Sequence, residues 1–132
     1  MDFEEDIQKE YETFLQETLN NEEVWILQSK EGLACQNSME YEGQMAILIW
    51  ANGVLAEAER EGEFEQLEAV NLPLGEFVVQ WLPNMQEEGV ICGLDWKSEV
   101  GGLEVEPKDL LEHYNLILTD ELKEKFKAYL EP

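Results

Sequence analysis

A chain that sets 31 Asp and Glu against 8 Lys and Arg must fold so that its carboxylates stay in water. An ionised carboxylate taken into a low-dielectric interior without a partner is strongly destabilising. The acids therefore mark the outside of the fold, and the apolar residues between them mark the inside. With 44% hydrophobic residues in 132, there is enough apolar surface to offset chain entropy, so the chain reads as one globular domain spanning 1–132.

The apolar runs are short. Met45 to Trp50 is typical and falls far below the roughly 20 residues a membrane span needs. The start, Met1-Asp2-Phe3-Glu4-Glu5-Asp6, is acidic where a secretory signal is basic and then apolar, so the expected location is the cytoplasm, with no membrane contact. Cys35 and Cys92 match neither a CxxC nor a zinc pattern, and both are expected as buried, reduced thiols.

Phe3, Ile7, Tyr11, Phe14, Leu15 and Leu19 recur at three and four, which predicts an amphipathic helix over 2–19 with acids in its first turn and a stop at Asn20-Asn21. Val24 to Gln28 and Leu33 to Gln36 read as a hairpin, Ala46 to Trp50 as a third strand, and Val54 to Glu61 as a helix. A strand over 67–72 precedes a helical stripe from Leu74 to Leu82, which Pro83 should end or kink. Val90 to Leu94 and Leu103 to Glu106 read as a closing hairpin. Pro107 suits the first position of a helix, and Thr119-Asp120-Glu121-Leu122 a capped start for the last one. Because most strand links are too short for parallel crossovers, the expectation is an α+β fold. It has a largely antiparallel sheet of five to six strands, with N-terminal, middle and C-terminal helices packed on it.

Catalytic patterns are missing. His113 is the single histidine, no serine lies in a GxSxG elbow, and Gly93, Gly101 and Gly102 match no phosphate-binding fingerprint. No EF-hand spacing occurs, so neither metal nor cofactor is expected. Glu57, Glu59, Glu61, Glu63 and Glu65 alternate through one segment and form the candidate acidic interaction surface. Trp50, Trp81 and Trp96 are the candidate pocket or interface aromatics, with core packing the simpler explanation for the first two.

The segments Tyr11 to Leu15, Val24 to Gln28 with Glu31-Gly32, Leu48 to Trp50 with Leu55-Ala56, and Leu74 to Gly89 (LGEFVVQWLPNMQEEG), closed by Val105 to Leu110, resemble the bacterial domain-of-unknown-function 2750 family. The likeness covers about residues 11 to 111 and leaves 112–132 as a C-terminal helical extension. It implies a small cytoplasmic α+β domain and carries no established activity or catalytic residues. Two positions depart from the family's habit: no proline follows Trp50, and Asp95-Trp96 stands where a Phe-Pro pair is usual.

The leading expectation is a non-enzymatic binding or regulatory protein that meets a basic protein partner. The alternatives are a nucleic-acid mimic or immunity-type inhibitor of a basic partner, and a small-ligand-binding protein or enzyme with a cryptic pocket. Direct nucleic-acid binding is disfavoured by the field, and the chain is compatible with a monomer or a dimer. The charge is uneven: residues 1–106 hold 25 acids and 4 bases (net −21), whereas 107–132 hold 6 acids and 4 bases (net −2).

Overall fold

In a computed structural model describing residues 3–98 and 100–130, the apolar stripe at the N-terminus forms helix α1, Phe3–Asn21. It buries Phe14, Leu15 and Thr18 against the rest of the molecule. The side chains of Phe3 and of the first-turn acids Asp2, Glu4, Glu5 and Asp6 lie outside the described residues. The helix stops at Asn21, and Glu22 takes the left-handed conformation, φ 53°, that a glycine often supplies.

The strands are β1 Glu23–Ser29, β2 Gly32–Leu33, β3 Cys35–Asn37, β4 Met45–Ile49, β5 Glu68–Pro73, β6 Ile91–Lys97 and β7 Gly101–Val105. The fold is α+β with largely antiparallel pairing, but the strands divide between two sheets rather than gathering in one. The orders are β2-β1-β5 and β3-β4-β6-β7. The chain crosses between them at Ala34, and a two-way backbone bridge joins them where Trp25 and Trp50 exchange N–H···O bonds of 2.8 Å each. One pair, β4 with β6, is parallel. Its crossover is long, carrying helix α2 (Gly53–Ala58), β5 and the helices before β6.

Pro83 does not end its helix. The segment runs from α3, Leu74–Glu76, through a π-helical turn, Phe77–Trp81, into α4, Leu82–Glu88, with Pro83 inside the final part. A proline in a regular helix lacks a donor and crowds the carbonyl four residues back. Here Leu82 N–H reaches Phe77 O, five residues back, so the ladder is already widened where the ring must fit. Gly89, φ 74°, closes the helix in the left-handed conformation.

Helices α5, Pro107–Ile117, and α6, Asp120–Phe126, complete the fold, the latter capped as expected by Thr119 Oγ1 accepting from Leu122 N–H. The main core gathers Phe14, Val24, Ile26, Ile49, Phe77, Leu82, Leu110, Tyr114 and Phe126. Inside it Thr18 Oγ1 donates to Phe14 O at 2.9 Å and lies 2.6 Å from the Tyr114 hydroxyl, so both buried hydroxyls are satisfied. A smaller core of Leu27, Ala34, Leu48, Trp50, Ala56 and Phe64 lies on the other side of β1 and β4.

Candidate functional site

The candidate site is built over that smaller core, where α2 faces the turn between β6 and β7. Asn52 starts α2 by accepting Leu55 N–H at 2.9 Å on its side-chain oxygen, while its amide donates to Glu17 Oε2 at 2.6 Å. Six residues on, the helix ends at Ala58 and Glu59 caps it. Its carboxylate folds back and accepts Ser98 N–H at 2.8 Å on Oε1, clamping α2 to the β6–β7 turn.

Strand β6 is irregular here. Its register against β7 shifts between Leu94 and Lys97, and Asp95 sits at φ 51°. Such a conformation is strained for most side chains but tolerated by Asp and Asn. The irregularity turns Trp96 toward α2. Its ring packs edge to face on Phe64 at 5.7 Å, and its carbonyl accepts the Trp50 indole N–H at 2.8 Å. Between the two elements lies an open cavity of about 290 Å³, lined by Trp50, Leu55, Ala58, Glu59, Asp95, Trp96 and their neighbours in the turn.

Asp95 is half-buried and accepts Ala51 N–H at 2.9 Å. Burial raises its pKa above the usual carboxylate range, and the charges of Glu17 and Glu10 add to the rise against the opposing pull of the Ala51 bond and Lys97. A carboxyl whose folded pKa exceeds its unfolded one holds extra proton in the native state, so stability falls as pH rises through that window. At neutral pH the full penalty is present. Asp95→Asn keeps the acceptor for Ala51 N–H and tolerates the positive φ. Its thermal midpoint at pH 7 is expected to equal or exceed that of the native protein, the difference shrinking as pH falls into the ordinary carboxylate range. A midpoint lowered at pH 7 and unchanged in acid contradicts this.

Of the three candidate tryptophans, Trp50 and Trp96 meet at the cavity. Trp81 is elsewhere, in the π turn, where it packs against the main core and donates to Glu76 Oε2 at 3.3 Å. The five alternating glutamates separate too. The helix expected to reach Glu61 stops at Ala58, and a short 3₁₀ turn, Gly62–Phe64, follows. Glu57, Glu61, Glu63 and Glu65 are exposed, whereas Glu59 is 8% exposed and belongs to the cavity wall rather than to a solvated face. Glu59 and Asp95 are the residues the sequence pattern did not single out as a pair. No local signal marked Glu59, since Ala56 before it is buried and Ala58 exposed, and its place follows from where α2 ends.

His113 lies on α5, where its Nδ1 is hydrogen-bonded to the Tyr11 hydroxyl at 2.5 Å. Burial raises the Tyr11 pKa, with Asp109 adding to the effect, so the phenol stays protonated. Cys92 is buried and its thiol is pushed up to about 12 by burial. Cys35, against expectation, is only half-buried, because β3 forms the edge of its sheet. Cys35 pairs with Ile47 and Ile47 with Cys92, so two strand spacings of roughly 4.8 Å separate the thiols, too far for a disulfide. Among the described residues, no three His, Cys, Asp or Glu side chains converge as a metal site would require.

The profile of a family described as "Protein of unknown function (DUF2750)" matches residues 11–114. The chain belongs to the DUF2750 family. A comparison with curated proteins finds no match. The DUF2750 region begins at Tyr11 in α1 and ends at Tyr114 in α5, so it contains both sheets and the whole cavity. Helix α6 lies beyond it, yet buries Phe126 in the core of the DUF2750 fold.

Proposed function

We propose that this protein is a non-enzymatic binding or regulatory protein of the bacterial cytoplasm whose acidic surface meets a basic protein partner. The observation that carries this reading is where the acids stand relative to the fold's own needs. Glu87 and Glu88 occupy the last turn of α4, and Glu57 the last turn of α2. Carboxylates are disfavoured there by the negative end of the helix dipole.

Between 57 and 68 the chain carries six glutamates and one arginine. That Arg60 is already engaged, donating to Glu57 Oε2 at 3.0 Å and to Leu67 O at 2.6 Å. Glu61, Glu63, Glu65 and Glu68 are exposed, and none of them forms an ion pair among the described residues. The fold gains little from this charge, and residues that work against local stability are characteristic of binding surfaces. Charge of one sign also speeds and orients encounter with an oppositely charged partner. No helix among the described residues is long and apolar enough to cross a membrane.

The test is affinity capture from the source cell at low ionic strength, using the native protein and a variant with Glu61, Glu63, Glu65 and Glu68 changed to Gln. A basic protein is expected on the native bait, released as salt is raised, and retained at least about tenfold less by the variant. Equal recovery on both baits, or an empty native bait at low salt, defeats the proposal.

A further inference from the structure

The cavity between α2 and the β6–β7 turn is walled by a largely buried carboxylate that forms no ion pair among the described residues. Glu59 is 8% exposed, and the one hydrogen bond to its carboxylate among the described residues is from Ser98 N–H to Oε1. Buried carboxylates are ordinarily paired with a cation, because desolvation without a partner is costly. Here the surroundings are acidic as well: Asp95 shares the wall, and Glu59 stands at the carbonyl end of α2. Lys97 lines the rim, but it is exposed and pairs with neither carboxylate.

The rest of the wall is aromatic and aliphatic. Trp50 and Trp96 contribute indoles, and Leu55 and Val100 contribute alkyl surface, with Val100 78% exposed at the mouth. A carboxylate at the base of an indole-lined cavity suits an organic cation that carries an apolar stem. The charge meets Glu59, the stem lies on the leucine and valine, and the half-buried Trp96 ring adds cation–π attraction. An anion is repelled by both carboxylates, and a neutral ligand leaves Glu59 uncompensated.

We infer that this cavity is the receptor for a single Lys or Arg side chain, presented by the basic partner and seated against Glu59 and Trp96. The inference rests on the reading that such a partner exists, and it adds an anchoring contact to what would otherwise be diffuse charge attraction. A cavity of about 290 Å³ is of the size for one long side chain rather than a folded peptide segment.

The probes are N-acetyl-arginine methylamide, N-acetyl-lysine methylamide, free butylamine, and N-acetyl-citrulline methylamide as the uncharged shape control. Each is titrated into isotopically labelled protein while the Trp96 indole and Ser98 amide resonances are followed. The arginine and lysine amides are expected to give saturable shifts at both resonances, and the citrulline amide none. Glu59→Gln keeps an acceptor for Ser98 N–H, and far-UV circular dichroism confirms its fold. It is expected to weaken the arginine amide at least about tenfold. The variant with Gln at 61, 63, 65 and 68 is expected to stay within about twofold, because those charges are exposed and screened.

Equal shifts with citrulline, unchanged binding by Glu59→Gln, or the absence of saturable shifts overturns the inference. Saturation by butylamine alone does so too, by marking a site for a free amine. The two proposals fail separately. Capture unaffected by the four-glutamine change, with intact side-chain binding, removes the acidic-surface reading and leaves the cavity. Capture unaffected by Glu59→Gln, with no saturable shifts, removes the cavity and leaves the surface.

Discussion

Trp50→Ala is expected to lower unfolding stability by about 3–5 kcal/mol, the range for removing a large aromatic from a packed core. Trp50 is 1% exposed, fills the smaller core, and lies at the backbone bridge that ties the two sheets together. Its indole N–H also satisfies Trp96 O at 2.8 Å, so truncation leaves that carbonyl without its donor as well as opening a cavity. Trp50→Phe separates the two contributions. It keeps much of the bulk and loses the hydrogen bond, so a smaller loss of about 1–3 kcal/mol is expected, carried mainly by the orphaned carbonyl. Urea unfolding at fixed pH measures both. A loss below about 1 kcal/mol for Trp50→Ala would show that the two sheets hold together without this side chain.

Trp50 also shows where local sequence pattern stops being informative. Its strand is legible from the run Met45 to Trp50, because burial on both faces demands continuous apolar residues. Its bridge to Trp25 is not, since two strands 25 residues apart leave no trace of their pairing in either segment. For the same reason the division into two sheets was hidden, and β2 and β3, read as one strand over Leu33 to Gln36, fall in different sheets. Helices α1, α5 and α6 and the hairpin of β6 and β7 were readable because stripe, proline position, cap and turn are all encoded within a few residues.

Of the two outcomes expected at Pro83, an end or a kink, the end does not occur, and the reason is physical. The rule that proline breaks a helix assumes regular α geometry, and the preceding π turn relaxes that geometry before the ring arrives. The candidate site was half legible. Aromatic identity drew attention to Trp50 and Trp96, but Trp81 carried the same signal and packs against the main core. Glu59 looked like its four neighbours in an alternating series. It is set apart by the ending of α2 at Ala58, which turns its side chain inward to Ser98, and the charge pattern contains no record of that turn.

The geometry of β6 makes a second large effect predictable. A Cβ at Gly102 would lie 2.8 Å from Leu94 O and 2.9 Å from Trp96 Cα, both backbone atoms that no rotamer change can move aside. The close approach arises because the slipped register between Leu94 and Lys97, with Asp95 at φ 51°, presses β6 onto β7 at this point. Gly102→Ala is therefore expected to cost about 1–3 kcal/mol through overpacking, measured by urea unfolding. It should also displace Trp96, seen as a shifted indole resonance and a weakened response to the arginine amide. Gly101→Ala, one residue away, is the control. Its φ of 77° makes alanine strained, but the nearest atom, Met39 Sδ at 3.6 Å, is in ordinary contact. It should lose stability of about 1 kcal/mol or more through backbone strain while leaving the Trp96 resonance in place. If Gly102→Ala is neutral, or if both variants move Trp96 equally, β6 is free to shift. A cavity wall that shifts cannot hold Glu59 and Trp96 in the fixed relation that seating a single cationic side chain requires.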